Sequence, residues 1–528
     1  MIACSVENNS ILQDNDMIKE LSKLESFRKE LYSFFPKRKD AIMNLLDALT
    51  SYGHQCDSVV QLSLADCFKH QYSSITDAIA DGLPHAKWAE IIKLIYSYAN
   101  KDIKHNRFLL DCTAQPRPYA RKLSDKTITH FPNAAPGNKP ICVGHQYSLL
   151  ALLPSDAEDK HWLVPISVKR IESNKKGNEE GMNQIVDCIK TLSLTKEINI
   201  SIGDTLYGTE NCRITASKQD NLIHIFRINS KRNVYFAPTN FSEKGRKKEY
   251  GNKMILNDEN THRPCDQQEE IQWSSRKGKK CKVIIKSWQN MLLRGSKKFR
   301  SSHYPINMVQ VKVIGFDGKS VFKRPLWLGV FGKKRDDVNL IDAYQNYIAR
   351  YDIEHFFRYG KQKLLLNAYQ TSDTSHEELW WQFCLLAYAQ LYLSKSLVPA
   401  IPQQWERYLP EYKYNNENTA ITTPSQTQRG FGKLLKKIGT PTNHCIARGK
   451  PCGRMLGKCG VRKSEQPIIF KSIKTPVSFS KTILSGFEKK AYCSNPQKID
   501  ELVKLIKTTL SKTNFSPEQF AKLLLDSS

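Results

Sequence analysis

The sequence predicts a mixed α/β protein, with a mixed β-sheet in its central part, a helical region before the sheet and a basic region after it. Three observations support this fold class. Between residues 107 and 228, apolar runs of strand length alternate with amphipathic helical segments. Residues 17–100 show helical periodicity, and residues 346–362 form a helical pattern with chemically distinctive side chains on one face. The 528 residues give room for roughly two to four domains.

Charge and apolar patterning restrict the partners and the compartment. The formal net charge of +28 favours a polyanionic partner, most simply nucleic acid, although a membrane surface also attracts cations. The first residues lack the pattern of an export signal, and the longest apolar run, Phe383 to Leu393, is too short to span a bilayer. The 14 cysteines form no paired framework. We therefore expect a soluble cytoplasmic protein without a membrane partner.

The region before the sheet is predicted to be helical. Residues 1–16 are polar and are expected to be disordered, and residues 17–104 are expected to form a small all-helical domain. Apolar residues recur there at intervals of three and four, at Leu21, Leu24, Phe27, Leu31 and Phe34.

Residues 105–232 are predicted to form the first part of the sheet-containing domain. Their elements are a strand at 108–110, a hairpin of strands at Ile141–Leu153 and Trp162–Ile171, a helix at Met182–Leu194, a strand at Ile198–Gly203, a helix at Thr209–Ser217 and a strand at Leu222–Ile228. This is the element order of the ribonuclease-H-like fold, a mixed sheet with acids at adjacent strand ends. Asp111 follows the first strand and Asp204 the fourth. Either aspartate alone is more often a turn residue or a helix cap.

Residues 233–334 are predicted to be a β-rich insertion into this domain. Strands are expected at Lys282–Ser287, Val309–Phe316 and Pro325–Val330, with a hairpin turn at 315–318. The basic run at 276–280 is either a phosphate-contacting turn or a solvated loop.

Residues 335–399 are predicted to complete the domain with two helices. As one helix, residues 346–362 place Tyr347, Arg350, Glu354 and Lys361 on one narrow stripe at about 3.6 residues per turn. Most such stripes are solvated faces with ion pairs between neighbouring turns. A carboxylate flanked by cations on a rigid face also suits a metal ion that meets a phosphate backbone. The second helix, from Glu377 to Leu393, is strongly apolar and is expected to pack on the sheet.

Residues 400–528 are predicted to be a basic arm followed by two terminal helices at 499–510 and 517–525. Between Gln428 and Lys474 the only acid is Glu465, and the cations are Arg429, Lys433, Lys436, Lys437, Arg448, Lys450, Arg454, Lys458, Arg462, Lys463, Lys471 and Lys474. Because Gly and Pro are frequent, we expect an extended arm that follows a phosphate backbone. Residues 448–451, Arg-Gly-Lys-Pro, resemble the core of an AT-hook, although a generic basic linker has a similar composition. The spacing of the nearby cysteines matches no usual zinc module, so no metal is expected there.

The pattern Tyr-x2-Arg-x3-Glu-x6-Lys resembles the segment around the third catalytic acid of bacterial insertion-sequence transposases of the DDE type, which belong to the ribonuclease-H-like superfamily. That resemblance implies two further aspartates at strand ends, and Asp111 and Asp204 meet this requirement. The segments 111–120, 137–145 and 203–208 also resemble the surroundings of the first two acids in this class. The resemblance covers roughly residues 107–399.

The resemblance implies two-metal phosphoryl transfer on DNA. Asp111 would bridge two Mg²⁺ ions, and Asp204 and Glu354 would each hold one, with Mn²⁺ as a substitute. Ions roughly 4 Å apart would activate a water or a DNA 3′-hydroxyl and stabilise the leaving oxygen. Water as nucleophile makes the protein an endonuclease at the ends of the insertion sequence. The freed 3′-hydroxyl joins the ends to target DNA, which completes cut-and-paste transposition.

The resemblance also implies residues and partners for DNA binding. The candidates for phosphate contacts are Tyr347, Arg350, Arg358, Lys361, Arg117, Arg121, Arg448, Lys450 and Arg454. In related transposases an aromatic residue of the insertion holds a base flipped from the cut DNA, and the candidates are Trp273, Trp288 and Trp327, although each tryptophan is more often a core residue. The helical N-terminal domain would bind the end DNA or dock on the core. A homodimer on DNA in the bacterial cytosol, associated with the nucleoid, is expected.

Two alternatives remain compatible with the sequence. One is a metal-dependent DNA nuclease of the same fold that cuts without joining. The other is a domesticated DNA-binding protein that has lost catalysis. The three acids disfavour the second alternative, and the intact Tyr347, Arg350 and Lys361 favour the transposase over the first.

Overall fold

The computed structural model describes residues 3–99, 105–130, 141–155, 161–238, 249–274, 280–296, 299–399, 422–445 and 463–470. Residues 1–469 form one unit, and of the second unit, 470–528, only the first residue is described. Several predicted features therefore lie outside the described residues: Arg448, Lys450, Arg454, the terminal helices and most of the basic run at 276–280.

The chain folds as a mixed α/β protein around a sheet of twelve strands. The strands are β1 Asn106–Pro116, β2 Thr127–His130, β3 Ile141–Leu152, β4 Val164–Ile171, β5 Asn199–Gly203, β6 Leu222–Arg227, β7 Val234–Tyr235, β8 Lys253–Met254, β9 Gln267–Ser274, β10 Lys280–Leu293, β11 Ile306–Gly315 and β12 Leu326–Phe331. The main path through the sheet is β2-β3-β1-β5-β6-β12-β11-β10-β7-β8, with β4 on β3 and β9 on β10. The fold class predicted from the sequence is thus confirmed at the level of a mixed α/β protein with a large mixed sheet.

Helices cover this sheet and form a layer beside it. They are α1 Ala3–Ser33, α2 Lys39–Tyr52, α3 Ser73–Asp77, α4 Trp88–Tyr98, α5 Gly177–Thr191, α6 Glu210–Ser217, α7 Leu340–Ala349, α8 Tyr351–Lys363, α9 Thr374–Leu393 and α10 Pro424–Ile438. Helix α1 includes most of the stretch that was expected to be disordered. Within the described ranges, no helix combines the length and the apolar character that crossing a bilayer requires.

Five strands form the part of the sheet that carries the predicted acids. β3 is antiparallel to both β1 and β4, whereas β1, β5 and β6 are parallel to one another. Every residue of β5, Asn-Ile-Ser-Ile-Gly, is buried, as expected for a parallel strand covered on both faces. The spatial order of these strands is β4-β3-β1-β5-β6. This order brings β1 and β5 side by side.

The predicted insertion continues this sheet. β12 pairs antiparallel with β6, and β11, β10 and β9 follow as successive antiparallel neighbours. The three strands predicted for this region correspond to parts of β10, β11 and β12. The backbone hydrogen bonds between β6 and β12 therefore connect the insertion directly to the strands near the acids.

Two sequence expectations need correction. Residues 346–362 are not one helix, because α7 ends at Ala349, α8 begins at Tyr351, and Arg350 forms the turn between them. At this junction the N–H of Arg350 donates to Tyr347 O and the N–H of Ile353 donates to Arg350 O, each an i to i+3 bond. Secondly, residues 424–438 are not an extended arm but the helix α10. Its buried residues, Phe431, Leu434 and Leu435, belong to the hydrophobic core.

Candidate active site

The two predicted aspartates lie at the same level of neighbouring strands. β1 and β5 are parallel, and Leu109 pairs with Ile202. Asp111 and Asp204 each lie two residues further along, so their side chains leave the sheet on the same face. Asp111 lies within β1, which continues to Pro116 and does not end at residue 110 as predicted. Asp204 follows β5 directly and its Oδ1 accepts a hydrogen bond from the Leu206 N–H at 2.8 Å.

Arg350 links the third predicted acid to the first. Its Nη1 donates to Asp111 Oδ2 at 3.0 Å, and its Nη2 donates to Glu354 Oε1 at 3.2 Å. Glu354 lies in the first turn of α8, where the positive end of the helix dipole also favours a carboxylate. The turn between α7 and α8 positions Arg350 so that one guanidinium pairs with both acids.

The pKa of Asp111 is sensitive to both other acids. Burial raises the pKa of Asp111 to about 6, Arg350 opposes this rise, and the charges of Asp204 and Glu354 reinforce it. Asp111 therefore lies within electrostatic reach of both Asp204 and Glu354. Arg350 in turn has a raised pKa; burial lowers it, but Asp111, Tyr347, Glu354 and Asp204 outweigh that effect.

The donor set of this site fits hard divalent cations. Carboxylate oxygens are the ligands that Mg²⁺ and Mn²⁺ prefer, and no soft ligand from these three residues competes. In the described part of the chain, no group of three or more histidine, cysteine, aspartate or glutamate side chains is already arranged to hold a metal ion. Arg350 instead pairs with two of the three acids, so its guanidinium must yield at least part of these contacts before both carboxylates can serve as ligands.

The remaining residues of the predicted stripe surround this site. Lys361 Nζ donates to Thr113 Oγ1 at 2.6 Å and to Ala114 O at 3.0 Å, and burial lowers its pKa to about 8. Tyr347 is buried, with the Arg350 guanidinium 5.9 Å from its ring centroid. Arg358 is exposed on α8. The hydrogen bonds of Lys361 thus connect α8 to β1 only two residues beyond Asp111.

The two predicted phosphate contacts after β1 have different environments. Arg117 is buried, and its guanidinium donates to Glu377 Oε1 at 2.5 Å and to Thr371 O at 2.6 Å. Arg117 therefore has a structural role in this arrangement, and we do not include it among the DNA contacts. Arg121 has 81% of its side chain exposed and lies 3.7 Å from Glu465. Arg121 remains accessible to a polyanion.

Sequence reasoning missed the buried cluster to which Arg117 belongs. Glu377 is fully buried at the start of α9, and its Oε2 lies 2.5 Å from His145 Nδ1 and 2.8 Å from the Tyr147 hydroxyl that donates to it. The Tyr147 ring stacks on Trp381 with centroids 4.1 Å apart. The signal that could have revealed this cluster was Glu377, which directly precedes the apolar stretch of α9 together with its neighbour Glu378.

The tryptophans predicted as base-stacking candidates lie in the insertion. Trp288 and Trp327 are both buried, and their ring centroids are 5.7 Å apart. Trp288 Nε1 donates to Arg263 O at 2.9 Å, whereas Trp327 Nε1 has no acceptor among the described residues. Trp273 lies on β9, and its side chain is outside the described part of the structure.

A cleft of about 280 Å³ adjoins the carboxylate site. Its lining includes Thr205, Arg227, Ser230, Arg324 and Trp327. Thr205 follows Asp204 directly, and Arg227 and Arg324 lie near the paired ends of β6 and β12. Neither arginine was predicted from the sequence, because the proximity of Arg227 to Arg324 depends on the pairing of two strands about 100 residues apart.

No protein-family model matches the chain, and a search of curated proteins finds no significant match. Function must therefore be argued from the residues and from the geometry of the site.

Proposed function

We propose that this protein is a DDE-type transposase that cuts and joins DNA by metal-dependent phosphoryl transfer. The observation that carries the proposal is the convergence of Asp111, Asp204 and Glu354, which arrive from β1, from the end of β5 and from α8. These three acids lie about 90 and 150 residues apart in the chain, so their convergence is not a local turn effect. The surrounding Tyr347, Arg350 and Lys361 match the pattern of the resembled class.

The strand order supports a ribonuclease-H-like domain as the finer description of the fold. The long strands β1, β3 and β4 are antiparallel neighbours, and the two that follow them in the chain, β5 and β6, run parallel to β1. The short strand β2 lies outside this set, on the free edge of β3. In this interpretation β12, β11, β10 and β9 are the insertion that extends the sheet beyond its fifth strand.

Each residue of the site has a role that its position supports. Asp111, Asp204 and Glu354 would hold divalent cations, Mg²⁺ or Mn²⁺. Bound there, such ions supply an acidified water or 3′-hydroxyl and charge neutralisation at the leaving oxygen. Arg350, released in part from the acids, would pair with a phosphate of the DNA, because a guanidinium suits bidentate phosphate recognition. Lys361 and Tyr347 would hold the backbone on either side of the scissile phosphate.

The cleft beside Asp204 supports phosphate contacts, because Arg227 and Arg324 in its lining provide cations for the DNA backbone. It does not support base stacking by Trp327 or Trp288. Both tryptophans are buried and pack on each other, so neither ring offers a free face to a flipped base.

The partners follow from the same chemistry. The substrate is DNA, namely the ends of the element and a target, and the surplus of basic residues supports a polyanionic partner. Because two ends must be cut and joined together, we propose a homodimer on DNA in the bacterial cytosol.

The decisive test compares three purified full-length proteins on DNA that carries the ends of the element. These are the wild type, Glu354→Gln and the control Glu90→Gln, which changes a surface acid paired with Lys93. We expect Mg²⁺-dependent nicking and joining by the wild type and the control. Glu354→Gln should reduce both by roughly a hundredfold or more, about 3 kcal/mol of transition-state stabilisation.

Other outcomes would redirect the assignment. Equal activity of the wild type and Glu354→Gln would exclude the three-carboxylate site. Cleavage without joined products would indicate a nuclease of the same fold. Bound end DNA without any Mg²⁺-dependent chemistry in the wild type would indicate a DNA-binding protein that does not catalyse.

A further inference from the structure

Helix α10 presents four cations on one exposed face. Its apolar face is buried, whereas the exposed residues at spacings of four, three and one are Arg429, Lys433, Lys436 and Lys437. The chain contains no aspartate or glutamate between Glu417 and Glu465. The helix therefore offers a row of positive charges without an acid of its own to neutralise it.

This cationic face begins where the helix of Glu354 ends. Gln428 of α10 accepts a hydrogen bond from the Tyr359 hydroxyl at 2.7 Å, and its Nε2 donates to Lys363 O at 3.1 Å. Both partners lie on α8, which carries Glu354 in its first turn. The contacts of Gln428 fix the start of the α10 row beside the last turn of α8.

His54 records the positive potential at this junction. Its pKa is lowered, first by burial and then by the charges of Lys363 and Arg429. His54 therefore lies within electrostatic reach of cations from both α8 and α10, namely Lys363 and Arg429. The junction between α8 and α10 thus continues the basic surface.

Five cations of this surface have no ion-pair partner within the described ranges: Arg358, Lys363, Lys433, Lys436 and Lys437. Other surface lysines are paired, for example Lys169 with Asp187 at 3.1 Å and Lys93 with Glu90 at 3.0 Å. Surface charges that a protein leaves unpaired in one row favour an external polyanion.

We infer that a cationic row is a track for the backbone of duplex DNA that leads away from the carboxylate site. The row consists of the exposed Arg358, Arg429, Lys433, Lys436 and Lys437 and the half-buried Lys363. The inference rests on the proposed function and adds to it where the DNA lies beyond the scissile phosphate. Because the start of α10 lies beside the last turn of α8, the row continues from one helix onto the other.

The test uses two triple variants that remove the same charge. In the track variant, Lys433, Lys436 and Lys437 are replaced by Gln. In the control variant, Lys190, Lys196 and Lys218 are replaced by Gln; these residues are exposed and lie on and near α5 and α6. The measurement is the affinity for a duplex of about four helical turns across a salt series, without divalent cations.

The track variant should bind on the order of tenfold to a hundredfold more weakly than the wild type. The slope of the logarithm of its binding constant against the logarithm of the salt concentration should become smaller in magnitude by about 2.7. This is the value for three lost phosphate contacts. The control variant should retain the wild-type slope. Equal losses in both variants, or no loss in the track variant, would overturn the inference, because the charge would then act only through the net charge of the protein.

A second readout tests the junction directly and does not depend on cleavage. The pKa of His54, followed by NMR, should rise when duplex DNA binds, because a phosphate offsets the charges of Lys363 and Arg429. An unchanged pKa with bound DNA would place the duplex elsewhere. If the protein does not cleave DNA but the track variant still weakens DNA binding, only the catalytic proposal fails. The failure of the proposed function and the failure of the track are therefore distinguishable.

Discussion

Asp111 is charged in the middle of a buried strand, with only 20% of its side chain exposed. Arg350 compensates its charge only in part, because the pKa of the carboxyl is still raised to about 6 from its usual 3.8. The folded chain thus binds this proton more tightly than the unfolded chain. By linkage, Asp111 lowers the stability as the pH rises from about 4 to about 6, and the full cost is present above that window.

Asp111→Asn should therefore stabilise the metal-free protein at pH 7.5 by about 1–3 kcal/mol, since a shift of one pKa unit is worth about 1.4 kcal/mol. Thermal or urea unfolding in a chelating buffer measures the effect. The gain should disappear near pH 4, where the wild-type carboxyl is protonated. Added Mg²⁺ should stabilise the wild type but not Asp111→Asn.

The surface variant Asp220→Asn provides the control for this prediction, because Asp220 is exposed and pairs with Lys333. It should change the stability by less than about 0.5 kcal/mol. If Asp111→Asn destabilised the protein at pH 7.5, the Arg350 contact would outweigh the burial cost, and the argument from the raised pKa would be wrong.

Single residues also show how far the sequence could predict the site. The proximity of Asp111 and Asp204 followed from the predicted strands, because parallel neighbours bring equivalent positions together. The burial of Arg117 could not be predicted, since its partner Glu377 lies 260 residues away. The pattern of polar and apolar residues identifies an arginine after a strand, but it does not say whether tertiary contacts turn it inward.

At the scale of elements, the turn between α7 and α8 is the main departure from the sequence prediction. The periodicity of residues 346–362 is compatible with one helix, and local propensity contains no break such as Pro or Gly near Arg350. The break coincides with the pairing of Arg350 to Asp111 on β1. A contact between distant elements thus accompanies a local conformation that the sequence pattern does not encode.

The start of α9 is the second element on which the site depends. Glu377 lies at the point where Arg117 from the end of β1 and His145 and Tyr147 from β3 converge. We expect Glu377→Gln to lower the free energy of unfolding by about 3–5 kcal/mol, because it leaves buried cationic and polar groups without their carboxylate. Urea unfolding measures this loss.

Glu378→Gln changes the neighbouring residue in the same way and is the matched control. Glu378 is only partly buried and its contact to the Arg170 N–H is 3.3 Å long. Its substitution should cost less than about 1 kcal/mol. Similar losses for both variants would show that Glu377 has no special role at the junction.

At the scale of the whole molecule, the helical N-terminal region and the sheet share one hydrophobic core. Buried residues of α1 and α2 pack in the same cluster as those of the central strands, α9 and α10. The helices α1 to α4 lie in the region where the sequence predicts a small helical domain, but this region belongs to the same unit as the sheet. Apolar periodicity could not show against which element each helix face packs. Arg28 lies at this contact: it pairs with Asp47 at 2.6 and 2.9 Å and also donates to Gln390 of α9.

Arg28→Leu should destabilise the whole unit and not only the N-terminal helices. The expected loss is about 3–5 kcal/mol, because Asp47 would remain as a buried charge without a partner. Residues 1–469 should still unfold in one calorimetric transition. The double variant Arg28→Leu, Asp47→Leu should recover much of the loss. Separate transitions for helices and sheet would contradict the shared core.

The guanidinium of Arg350 has a consequence for the life of the protein before it meets its substrate. It acts as an internal counterion in the metal-free chain. The acids can therefore come together during folding without a bound cation from solution. In the proposed transposase, the resting form would be a folded protein in which Arg350 pairs with the acids. A DNA phosphate competes for the same guanidinium. Binding of DNA would therefore release the acids for metal binding.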